Sequence, residues 1–265
     1  MKLGIAQMPV SASVSDNLKC AREYVMRLKC ADMVMLPEMF CAPYSNQSFA
    51  ANAEPRGGVI YTALADIARD AGVYLVGGSM PELEDGRIYN TSFVFSPDGT
   101  EIARHRKVHL FDIDITGGQR FFESDTLSSG DAATVFDTPF GKFGLCICFD
   151  MRFSELAMTM ARRGVQMILT PAAFNMTTGP LHWELMFRAR AVDNQVFTAG
   201  AAPARDASSS YVSYGHSIVV SPWGKILNCA GSSPCEFITD IDFNEVSRVR
   251  RELPILSARK SEVYI

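Results

Sequence analysis

The sequence has no run of Lys or Arg, no low-complexity segment and no apolar stretch long enough to cross a bilayer. A chain of 265 residues with a net charge of −4 therefore carries no electrostatic footprint for nucleic acid or an anionic membrane surface. Its apolar runs fall short of the roughly 20 residues that a transmembrane helix needs. With 48% hydrophobic and only 20% charged residues, a disordered chain is excluded as well. The opening MKLGIAQMPV lacks the charged, apolar and small-residue order of a signal peptide, so none is expected. No Gly-x-Ser-x-Gly elbow is present, which leaves a Ser–His–Asp hydrolase unsupported. The seven cysteines are odd in number, and several lie inside apolar runs. That pattern suits free thiols in a reducing compartment, the cytoplasm or an organelle matrix, better than a disulfide framework. Cys146 and Cys148 form a Cys-x-Cys pair, but no second Cys/His cluster stands at a spacing that zinc could use.

What is present is an alternation of strand and helix patterns, which implies an α/β layer architecture in one domain over residues 1–265. Strands are predicted over 2–8, 33–37, 73–80, 88–96, 100–106, 143–149, 167–171, 196–202, 215–221, 225–229 and 236–241. Helices are predicted over 16–30, 58–71, 153–163 and 180–194, and 257–265 reads as an extended tail. The two halves echo one another. GIAQM, a helix and MVMLPEMF are matched by GLCIC, a helix and MILTPAAF, two strand–helix–strand units with the signals of parallel pairing. FVFSPDGTEIA is matched by IVVSPWGKILN, each a hairpin whose Ser-Pro-x-Gly turn uses Pro to fix φ and Gly to supply the left-handed conformation.

Three short segments carry chemistry. In LPEMF, Glu38 follows a buried strand, where α/β sheets place their sites and where burial suits a carboxylate to proton transfer. By position alone it also reads as a surface residue in a strand–helix loop. In RHRKVHLFD, Lys107 lies among Arg104, His105, Arg106 and His109, which by itself reads as a solvated basic turn. A functional reading requires the ammonium to point inward, where its three donors can hold a carboxylate or an oxyanion. In GLCICFDMRFSELA, Cys148 lies between a strand end and a helix N-terminus with Ser154 as its N-cap, a position that favours the thiolate. Cys146, two residues back in the same strand, points to the same face. The plain alternative for any of these thiols is a small core hydrophobe, and polar neighbours make that fit Cys148 least. His182 and His216 read as structural.

In this order and separation, LPEMF, RKVHLFD and CFDMRFSEL resemble the three signatures of the nitrilase superfamily of carbon–nitrogen hydrolases. The resemblance continues through TPAAFNMTTGPLHWELMFRARAVDNQ and SYGHSIVVSPWGKIL, toward the branch that contains ω-amidases and amidases of deaminated glutathione. It implies a four-layer αββα sandwich, with no cofactor and no metal. It implies Cys148 as nucleophile, Glu38 as general base and Lys107 as oxyanion partner, with Cys146 a bystander. Glu123 in FFES matches a further, supporting Glu, and the backbone N–H of Phe149 would join Lys107 at the oxyanion. The expected substrate is the terminal carboxamide of a small 2-oxo dicarboxylic acid monoamide, with deaminated glutathione as the alternative. Tyr44, Phe111, Phe174 and Thr178 are expected to line its pocket and Arg205 to hold its distal carboxylate, while Arg152 is expected to be structural. The family also implies a homodimer packed near the helix at 153–163. An inactive scaffold and a thiol redox or metal protein are the rival readings of another class.

Overall fold

A computed structural model describes every residue except Gly118, Tyr264 and Ile265, and the side chain of Ser261. Its first sheet runs, edge to edge, through Cys235–Asp240, Lys2–Gln7, Met33–Met35, Tyr74–Val76, Arg87–Phe95 and Met80–Glu84. Glu101–Arg106 and Leu127–Ser128 also pair with Arg87–Phe95. The second sheet runs through Thr134–Thr138, Gly141–Leu145, Met167–Pro171, Phe197–Ala201, Ile218–Val220 and Ile226–Cys229. The echo in the sequence is an echo in register. Leu3 pairs with Met33 and Ile5 with Met35, in parallel; Phe143 pairs with Met167 and Leu145 with Leu169, in parallel.

Alternation along these strands decides the layers. Leu3, Ile5, Met33 and Met35 meet Phe143, Leu145, Met167, Leu169 and Phe197 in one core between the two sheets. Ala6 and Val34 face the other way, against Tyr24, Val25, Leu64 and Ala68 of helices Val14–Arg27 and Val59–Ala71. Cys146 and Ile168 likewise meet Met160, Trp183 and Phe187 of helices Ser154–Arg162 and Gly179–Asn194. The result is the αββα sandwich. Close approach of helix to sheet needs small residues: a Cβ on Gly144 would fall 2.6 Å from Met160 Sδ.

Both Ser-Pro-x-Gly hairpins form as predicted. The Gly99 N–H donates to the Ser96 carbonyl and the Gly224 N–H to the Ser221 carbonyl, and φ is +82° and +79°. Other expectations are corrected. The strand over 73–80 is broken after Val76, because Gly78 takes φ +61° beside the Pro37 carbonyl and starts a new segment, Met80–Glu84. The strand over 143–149 stops at Leu145, and Cys148 opens a 3₁₀ turn, Cys148–Arg152, so Cys146 and Cys148 do not share a strand face. Ser154 is the first helical residue and its hydroxyl bonds Glu155 rather than capping. The tail is not extended: Ile255–Ala258 and Ser261–Val263 close local turns, with Ala258 N–H donating to Pro254 and Val263 N–H to Lys260. Its last two residues lie outside the described residues.

Candidate active site

Glu38 leaves the C-terminal end of Met33–Met35 in a turn in which Met39 takes φ +48°, held by its N–H donating to Ser79 Oγ at 3.0 Å. Lys107 follows the strand Glu101–Arg106, and the period of two separates its basic cluster into two faces. His105 and Lys107 turn inward and are fully buried, while Arg104 and Arg106 turn outward onto Glu82. The solvated-turn reading of this segment is thereby excluded. Glu123 lies in a short 3₁₀ turn after a hairpin, Asp112–Asp114 with Arg120–Phe122, that the sequence reading did not include.

These side chains converge. Lys107 Nζ donates to Glu38 Oε1 at 2.9 Å and to Glu123 Oε1 at 3.0 Å. The Tyr44 hydroxyl donates to Glu123 Oε1 at 2.6 Å and lies 3.2 Å from Glu38 Oε1. Asn90 Nδ2 adds a further bond to Glu38 Oε1, at 2.9 Å, and the Phe111 N–H donates to Glu123 Oε2 at 2.6 Å. Burial works to lower the Lys107 pKa, but the charges of Glu123 and Glu38 overcome it and hold the ammonium above its ordinary value. Burial raises the Glu123 carboxyl, Lys107 opposes this, and Glu38 adds to it. Glu38 Oε2, in contrast to Oε1, is buried with no hydrogen-bond partner among the described residues.

Cys148 sits at φ +46°, a left-handed backbone that costs a non-glycine residue about 1 kcal/mol and is typical of functional turns. Burial, and then the charge of Glu38, push its thiol well above its ordinary pKa, against the pull of Lys107 and of the Ala173 backbone N–H. The thiolate expected from a helix N-terminus is therefore corrected to a resting neutral thiol. Desolvation in a fully buried site outweighs the field of one short turn. Phe149, next in that turn, has an N–H at a position where a helix supplies no internal acceptor.

A tight cleft of about 10 Å³, room for about one water, adjoins Cys148 and is lined by Phe111, Phe149, Arg152, Phe174, Thr178 and Tyr211. Phe111, Phe174 and Thr178, which the sequence reading expected around a substrate, are thus neighbours of Cys148 in this cleft. Tyr44 lines the neighbouring cavity together with Glu38 rather than this cleft, and its hydroxyl belongs to the carboxylate cluster. Arg205 is corrected: it is outside the cleft, with Nη2 donating to the Tyr214 carbonyl at 2.9 Å and its guanidinium over the Tyr214 ring. Arg152 lines the cleft in its place. Arg152 Nη1 donates to His182 Nδ1 at 3.0 Å, its guanidinium lies over Phe174, and its Nε is buried without a partner among the described residues. Among the described residues no carboxylate pairs with it. Its place directly after CFDM was a signal within reach of the sequence; Asn90 was signalled by the polar run NTS inside an apolar strand.

Asp150 joins the arms that carry Lys107 and Cys148. Its Oδ2 accepts from the Ile147 N–H at 3.0 Å and contacts His105 Nε2 at 2.9 Å. Its Oδ1 accepts from the N–H groups of Val108 and His109, at 3.2 and 2.9 Å, and contacts His109 Nδ1. Burial alone would raise this carboxyl, yet hydrogen bonds from His105 and His109 hold it far below the usual range.

A carboxylate, an ammonium and a thiol assembled at strand ends of this sandwich define a cysteine hydrolase site of the nitrilase type. Comparison with known proteins agrees: residues 2–251 match the Carbon-nitrogen hydrolase family, and the chain belongs to it. It is 49% identical over 265 residues to the ω-amidase NIT2-B of Xenopus laevis and 46% identical to the ω-amidase NIT2 of Homo sapiens. Each alignment covers 99% of this chain and 96% of the relative. The crystal structure of Saccharomyces cerevisiae Nit3, a member of branch 10 of the nitrilase superfamily, superposes with a TM-score of 0.90. It is 40% identical, over 98% of this chain and 96% of that one.

Proposed function

We propose that this chain is an ω-amidase working as one carbon–nitrogen hydrolase domain. It cleaves the terminal carboxamide of short 2-oxo dicarboxylic acid monoamides, such as 2-oxoglutaramate and 2-oxosuccinamate, to the acid and ammonia. The observation that carries this reading is Arg152, a cation in the cleft of Cys148 with no acidic partner among the described residues, beside the buried Glu38–Lys107–Glu123 cluster. An anionic substrate supplies the missing carboxylate through a charge-assisted bond, and a neutral amide leaves the guanidinium unpaired. The likeness to relatives named ω-amidases supports the same reading.

The chemistry follows from the positions. Glu38 takes the thiol proton on Oε2 as Cys148 attacks the amide carbon. Lys107 and the Phe149 N–H stabilise the oxyanion. Protonated Glu38 then delivers its proton to the leaving nitrogen, ammonia departs, and a thioester remains. The same carboxylate activates water to hydrolyse it. Glu123 and Tyr44 orient Lys107, so the ammonium balances Glu38 throughout. An inactive scaffold has no use for this convergence, and a thiol redox or metal role leaves Glu38 and Lys107 unemployed.

Ammonia release from 2-oxoglutaramate tests the function. Arg152→Ala is expected to lower kcat/KM by about 10- to 100-fold, and Arg205→Ala to change it little. Equal rates on monoamides with and without the distal carboxylate would remove Arg152 from the reading. A tenfold preference for deaminated glutathione would favour that alternative while leaving the amidase chemistry intact.

The assembly is proposed to be a homodimer in the cytoplasm or an organelle matrix. Free cysteines throughout support a reducing compartment, and among the described residues no helix is long and apolar enough to cross a membrane. The helix Ser154–Arg162 turns Ala157, Met160 and Ala161 into the core and leaves Leu156 and Met158 half-buried. Leu181, Leu185 and Val192 stand exposed along one side of Gly179–Asn194, with Trp223 also exposed on the hairpin turn that Arg188 touches, and these apolar side chains supply a contact face. Sedimentation showing only monomer at micromolar concentration would refute this.

A further inference from the structure

Two cavities meet at one side chain. The cleft beside Cys148 holds Arg152. A second cavity, of about 240 Å³, lies on the Glu38 side, with Glu38, Tyr44, Ser11, Ala173, Asp206 and Ser209 in its lining. Tyr211 is the one residue that lines both. Its ring is held flat against Tyr44, with centroids 4.4 Å apart and planes at 25°, and meets Phe121 at its edge. Its hydroxyl donates to the Ala173 carbonyl at 2.6 Å.

The reaction makes the two sides inequivalent, on the amidase reading given above. The acyl carbon is bonded to Cys148 and its chain extends toward Arg152. The leaving nitrogen takes its proton from Glu38, so it lies on the Glu38 side. When the tetrahedral intermediate collapses, the C–N bond breaks, the electron pair stays on nitrogen, and Glu38 supplies the proton. Ammonia needs no further room. A secondary amide carries a carbon substituent on that nitrogen, and the ring of Tyr211, stacked on Tyr44, stands between the Cys148 cleft and the larger cavity.

We propose that Tyr211 is a specificity-determining wall that restricts the enzyme to primary carboxamides. The cavity behind it is a latent subsite for the substituent of a secondary amide. Its chemistry selects among substituents: among the described residues it is lined by Glu38, Asp206 and several serines and by no Lys or Arg. It therefore suits neutral or cationic groups and disfavours a carboxylate-terminated one such as a peptide C-terminus.

The test compares kcat/KM on the primary monoamide with its N-methyl, N-(2-hydroxyethyl) and N-carboxymethyl derivatives, for the wild type and for Tyr211→Ala, Tyr211→Leu and Tyr211→Phe. The secondary-to-primary ratio is expected to rise about 100-fold or more in Tyr211→Ala and to stay at the wild-type level in Tyr211→Phe, which keeps the ring. The hydroxyethyl derivative should gain about tenfold more than the carboxymethyl one. Should Tyr211→Ala fail to fold, Tyr211→Leu, which keeps apolar bulk without the flat ring, decides by the direction of the same ratio. An unchanged ratio in the folded variant, or a wild type that cleaves the N-methyl amide within tenfold of the primary one, overturns the wall alone. A wild type that releases no ammonia from primary monoamides overturns the function reading, and the wall with it.

Discussion

The two strand–helix–strand units are near copies in backbone, yet each contributes a different reagent from a different place in the repeat. In the first unit, Met8 ends the GIAQM strand and Glu38 follows the second strand in LPEMF. In the second unit, Cys148 takes the place of Met8, and Ala172 takes the place of Glu38. Parallel pairing in identical register puts both sets at matching strand ends. One repeat therefore supplies the proposed base and the other the proposed nucleophile, and the site forms where they face each other. Even the silent copy has a use: the N–H of Ala173, matching Met39, reaches the Cys148 sulfur. The lesson is that a symmetric frame becomes chemically asymmetric where a few matching positions carry different residues.

The sharpest way to break this comparison is at the sulfur. Cys148→Ala is expected to reduce turnover by at least about 10⁴-fold, with Cys146→Ala within about tenfold of wild type, because only the former removes the attacking group. Cys146 is tied to Thr170 Oγ1 and packed behind the sheet. The opposite pattern in ammonia-release rates would mean that the halves have been aligned one step out of place.

Next in size is the base. Glu38→Gln should cost about 10²- to 10⁴-fold in both acylation and deacylation, since one carboxylate serves both. Iodoacetamide labelling gives the pH dependence. The Cys148 pKa is raised, so the thiol is protonated at neutral pH, and each unit of increasing pH below that pKa multiplies the thiolate tenfold. Labelling of Cys148 in Glu38→Gln should be slow at pH 7 and climb steeply with pH. Flat, fast labelling at pH 7 would show that Cys148 needs no base.

The clamp between the halves comes third. Asp150→Asn replaces an acceptor facing three backbone N–H groups and two imidazoles, and is expected to cost about 2–4 kcal/mol. That corresponds to a drop of about 4–16 °C in Tm for a chain near this size. The sign of the pH effect follows from the depressed folded pKa. The Asp150 contribution is fully present above the unfolded carboxyl value near ~4 and is lost as pH falls toward the folded value. The wild-type minus Asp150→Asn stability difference should therefore shrink in acid. A constant difference down to pH 3 would assign the bonds to neutral partners.

The smallest effect separates the two hairpin turns. Gly99→Ala and Gly224→Ala both place a Cβ at positive φ, for about 1 kcal/mol each. At Gly99 the new atom also meets the Ala65 carbonyl oxygen at 2.8 Å, while at Gly224 it meets only the Val192 side chain. Gly99→Ala should melt lower, and equal melting points would show that the first turn yields as easily as the second.

Much of this was legible in the residues alone. The strand–helix–strand repeat and the Ser-Pro-x-Gly turns depend on periods and turn chemistry that act over a few residues, while Glu38, Lys107 and Cys148 were singled out by the resemblance of three ordered motifs to the nitrilase superfamily. By itself the sequence determined those. Only the tertiary structure decided that His105 and Lys107 are buried while Arg104 and Arg106 face out, that Asp150 gathers both arms, and that Arg152 rather than Arg205 stands beside the thiol. Lys107 meets Glu38 across 69 residues of chain, and His105 meets Asp150 across 45. A charge stays buried only where partners from such distant segments arrive to satisfy it, and no local pattern records that arrival.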